Sequence, residues 1–428
     1  MIVANNTIRV WKEHTPAHWQ VVPLKYVITY NEDKLSEQTD DDYEFDYVDI
    51  GSVTYGKGIE NFQHMKFSDA PSRARRIVRP NDVIISTVRT YLKATAKIEE
   101  HDNPVIVSTG FMVMRARVGV ILPDFLGYIA QSDGFVSEIE CQSYGTSYPA
   151  INAGEIAGFS IPLPPLTEQS AIVSYLDAKC AVIDEAIKRH KKIIENLEEY
   201  RANTITNMVT KGLCETPMKD SGSIWYGSIP CDWEIKRFKY IATVKSNLVD
   251  PEPYMELPQI GPDLIEKDSG RLIGERTVAE SGVISGNHLF YEGQLIYSKI
   301  RPALNKVVIA PFTGLCSADM YPIEATINSE YLKWLMLSKP FVEQARIIAE
   351  IRVKMPKINQ EELGNVVCVV PPDEAQAKIA TAIQDMCEKA QESIDKHNSV
   401  INKLEEYRKS IIYNAVTGKI DCRTEAVE

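Results

Sequence analysis

Residues Pro164–Leu213 align without a gap to Pro371–Ile420, a constant offset of 207 with 18 identities in 50 positions. Two stretches this alike in one chain mean that one structural unit is built twice, which excludes most single-core architectures. The shared residues begin with a Pro-Pro pair and continue through Gln169 with Gln376, Cys180 with Cys387, and His190 with His397. They run on through Leu197–Arg201 with Leu404–Arg408 to Val209-Thr210 with Val416-Thr417. Fainter echoes lie upstream. Pro149-Ala150-Ile151-Asn152 matches Pro356-Lys357-Ile358-Asn359 at the same offset, and Asn81–Arg89 resembles Gly293–Arg301 at an offset of 212. Trp19 and Lys25-Tyr26 answer Trp233 and Lys239-Tyr240.

The repeated segments have the pattern of long helices. Each opens after two prolines, which block helix upstream, and then offers Thr167-Glu168-Gln169 or Asp373-Glu374 for the cap and first turn. Neither glycine nor proline interrupts them before Val209 or Val416. Forty-odd helical residues would span roughly 60 Å at ~1.5 Å per residue, a length that suits a spacer. Apolar residues fall at heptad spacing, with a seam carried by Ile183, Ile187, His190, Ile194 and Leu197 in the first copy. Ile394, His397, Ile401 and Leu404 carry it in the second. A narrow seam with polar flanks is a coiled-coil pattern. Two copies joined by a globule pair most naturally in the antiparallel sense.

The order is globule, helix, globule, helix: 1–163, 164–213, 214–370 and 371–421, with a tail over 422–428. The fold class expected is α+β, two α/β globules separated by two long helices in an antiparallel coiled coil with pseudo-two-fold symmetry. Short β-branched runs such as Val83–Val88, Val105–Thr109 and Val366–Val370 alternate with turn residues. One helix is expected around Phe125–Glu140 and one around Glu330–Ile348. Strand order is not legible.

Composition narrows the function. The chain has 428 residues, 44% of them apolar and 25% charged, within the globular range. No run of eighteen apolar residues occurs, and Trp11, Glu13 and His14 interrupt the start, so neither signal peptide nor membrane span is expected. Eight cysteines lie far apart without a C-x-x-C pair, which argues against a zinc site and fits a reducing cytoplasm. There is no G-x-x-x-x-G-K-[ST] loop, no Asn-Pro-Pro-aromatic or Asp-Pro-Pro-aromatic tetrad and no glycine-rich cofactor loop, so no cofactor is expected. Glu234-Ile235-Lys236, with Asp220 or Asp232 before it, imitates the end of a metal-dependent nuclease site, but such a tripeptide arises easily by chance. The repeated histidines sit on the helical seam. Packing there explains them better than catalysis, and a pair meeting across the seam would make it sensitive to pH.

A net charge of −12 speaks against a nucleic-acid partner, yet phosphate binding needs only a local basic surface. Arg73, Arg75, Arg76 and Arg79 fall within seven residues, and Arg89, Tyr91 and Lys93 follow closely. The second globule answers with Lys299, Arg301, Asn305 and Lys306, and with Arg352 and Lys354. Arginine and lysine supply salt-dependent phosphate contacts, and arginine and asparagine read base edges. Tyr144, Thr146 and Tyr148 add hydroxyls and aromatic faces on a Gly-containing loop. The bland alternative is a scaffold joining two protein-binding modules, with these charges merely solvated.

The whole chain resembles the specificity subunits of type I restriction-modification systems. The residues that carry the resemblance are Ile161–Gln169 opening the first helix, Asn81–Arg89, Gly145-Thr146 to Ile151-Asn152, and the duplicated layout. The second copy keeps its prolines and Gln376 but has Ala375 for the Glu and Arg352-Val353 for the Gly-Thr pair. The resemblance implies a non-catalytic subunit of a phage-defence system that binds double-stranded DNA, each globule reading one half of a split target. It implies two modification subunits that methylate adenine and restriction subunits that translocate and cleave. The target bases are not legible.

Overall fold

The computed structural model describes residues 15–352 and 354–423. Trp11, Glu13, His14, Val353 and most of the expected tail lie outside the described residues. Two long helices dominate: α4, Leu166–Lys211, and α9, Asp373–Val416. Both start directly behind their Pro-Pro pair. The chain forms two compact units, one running to His190 and resuming at Ser399, the other Lys191–Asn398. These units differ from the globule and helix segments read along the sequence, because each long helix gives its two ends to different units.

In the first unit, the strands up to the first helix are β1 (Gln20–Pro23), β2 (Ile28–Tyr30), β3 (Glu44–Val48), β4 (Val53–Thr54), β5 (Gly58–Ile59) and β6 (Gln63–Lys66). They continue as β7 (Ala74–Ile77), β8 (Val83–Ser86), β9 (Thr95–Lys97), β10 (Val105–Ser108) and β11 (Phe111–Ala116). Then come α1 (Pro123–Gln131), α2 (Asp133–Gln142), α3 (Ala153–Ala157) and β12 (Ser160–Leu163). One sheet has the order β2-β11-β8-β9 and another β6-β3-β10-β7, in which β3 and β10 are parallel. β1 pairs with β12 just ahead of α4.

The second unit repeats this plan. It holds β13 (Met218–Asp220), β14 (Ser228–Pro230), β15 (Glu234–Arg237), β16 (Ala242–Val244), β17 (Leu248–Val249), β18 (Gln259–Ile260) and α5 (Val278–Ser281). β19 (Asn287–Phe290), β20 (Leu295–Ser298), β21 (Val307–Ile309), β22 (Gly314–Cys316) and β23 (Met320–Ala325) follow. α6 (Ser329–Leu337), α7 (Lys339–Glu350), α8 (Gln360–Gly364) and β24 (Val367–Val370) complete it. The order β16-β23-β20-β21 copies β2-β11-β8-β9, β15 with β24 copies β1 with β12, and the parallel pair β18 and β22 copies β3 and β10.

The helices expected around Phe125–Glu140 and Glu330–Ile348 are each two helices. Ser132 and Ser338 take extended backbone angles, and each hydroxyl donates to the carbonyl three residues back, Ile129 or Leu335. That side-chain bond replaces the helical continuation and turns the chain.

Each unit buries its own share of the seam. In the first, Ile183 and Ile401 are buried, Ile187, His190 and Leu404 half-buried, and Ile411, Ile412 and Ala415 share a core with Leu176, Phe125 and Ile161. In the second, Ile394 is buried and Ile194, Leu197 and His397 half-buried, while Ile205, Val209, Ile379 and Ile383 pack with Trp334 and Tyr331. The start of α4 meets the end of α9 in the first unit, and the start of α9 meets the end of α4 in the second: antiparallel pairing. Arg408 and Asp184 form an ion pair at 3.3 Å in the first unit. Its sequence counterpart Arg201 instead donates to Gln391 at 3.2 Å in the second. A fully buried Leu or Ile contributes roughly 1.5–3 kcal/mol over an exposed one, so burial rather than these polar pairs carries the pairing.

Candidate nucleic-acid interface

The equivalent strands β8 and β20 end in the same local structure. Beyond β8, Arg89 enters a short 3-10 turn, Thr90–Leu92, that closes on Lys93. Beyond β20, Arg301 enters Pro302–Leu304, closing on Asn305. All four flanking residues are left-handed, with φ of 51° and 52° in the first turn and 45° and 47° in the second. The other described non-glycine residues with positive φ are Asn31, Asn81 and Asp268, types whose side chains favour that region. Arginine has no such preference, and a strained residue costs on the order of 1–3 kcal/mol unless its surroundings impose it.

The surroundings are the loop behind α2 and its counterpart behind α7. The Arg89 N–H donates to Pro149 O at 2.8 Å, and that of Ile151 to Thr87 O at 2.9 Å. Likewise the Arg301 N–H donates to Pro356 O at 2.8 Å, and that of Ile358 to Lys299 O at 2.9 Å. These contacts explain why Pro149–Asn152 and Pro356–Asn359 match in sequence. The two asparagines close capping boxes with Glu155 and Glu362 at the starts of α3 and α8.

In the first unit the loop presents its side chains outward. Tyr144 and Ala150 exchange backbone hydrogen bonds at 2.8 and 2.9 Å, pinching off residues 145–149. Gly145 allows the return with φ of 108°, and a Cβ there would lie 3.2 Å from Tyr148 O. Tyr144, Thr146 and Tyr148 are exposed, as is Tyr91. The Arg89 guanidinium lies over the Tyr148 ring, 5.2 Å from its centroid. Lys93 is drawn to Glu140 at 3.1 Å.

The Arg73–Arg79 run is more structural than its charge suggests. Arg73 donates to the Tyr47 hydroxyl at 3.1 Å, which raises its pKa, and lies 3.6 Å from Asp49. Arg75 lies over Phe67, 4.9 Å from the centroid. Arg76 is half-buried on β7, its Nε without a hydrogen-bond partner, and burial lowers its pKa. Arg79 pairs with Asp33 at 2.7 Å.

The second unit offers fewer open groups. Asn305, expected to read bases, is buried: its amide donates to Asp268 at 2.9 Å and to Leu337 O at 3.1 Å. It closes the turn, so its assignment to DNA is corrected. Lys306 donates to Pro262 O at 2.6 Å, Lys299 lies over Tyr321, and Arg352 pairs with Glu362 at 2.7 Å. Arg301 and Lys354 are exposed.

Glu234 pairs with Lys236 of its own strand at 2.8 Å, on the exposed side of β15. Among the described residues no group of His, Cys, Asp or Glu is arranged to hold a metal ion, and no helix is long and apolar enough to cross a membrane. Among the described residues no disulfide joins two cysteines.

The duplicated α/β plan, the shared helix pair and the repeated basic turn define a two-module binding protein. The family model described as the type I restriction modification DNA specificity domain matches residues 16–199. The EcoDI type I restriction enzyme specificity subunit of Escherichia coli is 32% identical over 324 residues, 72% of either chain. The EcoKI specificity subunit of Escherichia coli K12 is 21% identical over 96% of this chain and 91% of its own. A chain from a structure of type I R-M complex assembly and conformational transition superposes with a TM-score of 0.71 at 21% identity, covering 95% of this chain and 99% of its own. The protein belongs to the family of type I restriction enzyme specificity subunits.

Proposed function

We propose that this chain is the DNA-reading subunit of a type I restriction-modification complex. Each unit reads one half of a bipartite target, and the helix pair sets the distance between the halves. The observation that carries the reading is the basic left-handed turn, built twice on equivalent strands in a chain of this family. Two modification subunits, which bring the adenine-methylating chemistry, and the restriction subunits dock on it in the cytoplasm. The chain itself supplies recognition without catalysis or cofactor. With a net charge of −12, its DNA affinity rests on these local groups and on a positive channel completed by the modification subunits.

The test is methylation mapping in a host that expresses the chain with its modification subunits. The reading requires a split motif that disappears when this chain is omitted. Duplex binding by the same complex should weaken steeply between about 50 and 200 mM salt, as phosphate contacts do. Methylation independent of the chain would overturn the reading, and salt-insensitive association would favour the scaffold alternative.

A further inference from the structure

We propose that Arg89 is a specificity-determining residue that reads a base edge in one half-site, with Tyr148 as its positioning residue. This rests on the DNA-reading function above. Phosphate contacts tolerate long, mobile side chains, because charge at a distance needs little direction. A base edge is different: arginine recognises the paired acceptors of guanine in the plane of its guanidinium fork. Arg89 is fixed for such a task at each level. Its backbone is held in a left-handed conformation by Pro149, and its side chain lies over the Tyr148 ring. The loop carrying that ring is closed by the Tyr144 and Ala150 hydrogen bonds.

Charge accounting points the same way. Arg73, Arg79 and Arg115 are paired with carboxylates, Arg76 is half-buried, and Arg75 and Arg117 each donate to a backbone carbonyl, of Ala74 at 2.9 Å and Ile28 at 3.2 Å. Among the described residues Arg89 meets no carboxylate, so its donors stay available. Arg301 has the same backbone, but among the described residues no aromatic ring lies beneath its guanidinium. The ring is thus an addition to the first unit, not a requirement of the turn. Arginine on an aromatic face keeps its fork edge open while losing rotational freedom.

The experiment compares methylated-site profiles of the full complex carrying the native chain, Arg89→Lys, Arg89→Gly, Tyr148→Leu or Tyr148→Phe. Glycine relieves the backbone strain, so loss of function in that variant cannot be assigned to the turn's conformation. Both Arg89 variants should lose preference at a single position of one half-site, by roughly tenfold or more, the scale of a bidentate contact. The salt dependence of binding should stay the same. Tyr148→Leu should relax that same position partially, and Tyr148→Phe should retain it. A loss uniform over all sequences, with the salt slope reduced by about 0.9, would make Arg89 a phosphate contact and overturn the proposal. An unchanged profile would overturn it too. Failure of the native complex to methylate a split motif would instead strike the underlying function, which separates the two.

Discussion

Gln169 accepts a hydrogen bond from the backbone nitrogen of Leu122 at 2.8 Å, tying the first turn of α4 to the residue that caps α1. Its amide also donates to Val120 O at 3.1 Å and Pro164 O at 2.9 Å, all from a fully buried position. Gln376 repeats the arrangement at the head of α9, with Asn328 N and Pro371 O each at 2.9 Å. One side chain thus satisfies backbone groups of two elements that would otherwise be buried unpaired. Gln169→Leu should cost more than about 2 kcal/mol, because at least two such groups lose their partner at ~1–3 kcal/mol each. Urea unfolding measures this, and a loss below half a unit would show that water replaces the amide.

Glycine ends both long helices against a tryptophan. Gly418 has φ of 75°, and a Cβ on it would lie 2.4 Å from Pro16 and 3.1 Å from Trp19. Gly212 has φ of 80° and faces Trp233 at 3.3 Å. Both substitutions to alanine carry the left-handed penalty of about 1 kcal/mol, and Gly418→Ala adds a clash with a proline ring that cannot rotate away. Gly418→Ala should therefore lower the melting temperature more than Gly212→Ala; the reverse order would contradict this packing.

Much of this architecture was legible because it depends on local rules. The prolines at 164–165 and 371–372 stop any helix from starting earlier, and of the residues at heptad spacing Ile183, Ile394 and Ile401 are buried and the rest half-buried. The division at Ser132 and Ser338 was not legible, since serine is nearly neutral in a helix and the turn depends on where its hydroxyl finds a carbonyl. Strand order was equally hidden: the parallel β3 and β10 pair joins segments about sixty residues apart. At the candidate interface, charge pointed to Arg89 and Arg301, but nothing in arginine's own preferences announces a left-handed backbone. Asn305 misled for a related reason. Polar side chains are usually exposed, and this one caps a buried turn.

Asp46 is one acid-sensitive point of the first unit. Burial pushes its pKa up, but hydrogen bonds from Asn103 at 3.0 Å, His101 at 2.6 Å and His64 at 2.8 Å outweigh it and hold the carboxyl below its usual 3.8. A depressed folded-state pKa adds stability above the unfolded value and loses it as pH falls through the folded one. Asp46→Asn should therefore cost about 1–3 kcal/mol at pH 7, with the deficit shrinking below pH 4. Urea midpoints of both proteins from pH 7 to pH 3 test this. A deficit independent of pH would mean that packing, not charge, gives Asp46 its value.

The helix pair yields a discriminating prediction about the proposed split target. Seven residues keep a heptad seam in phase, whereas four would rotate the buried face of α4 away from α9. An insertion of seven between His190 and Lys191, matched by one between Asn398 and Ser399, should preserve folding, since both points lie where the compact units divide. The added length is about 10 Å at ~1.5 Å per residue, close to three base pairs at ~3.4 Å each. Methylation mapping should then return a motif with the same bases in both halves and a spacer longer by about three. An insertion in α4 alone should instead lower stability, because the added turns of α4 would have no α9 residues to pack against. Unchanged spacing in the doubly extended protein, or altered half-site bases, would mean that something other than the helices sets the distance.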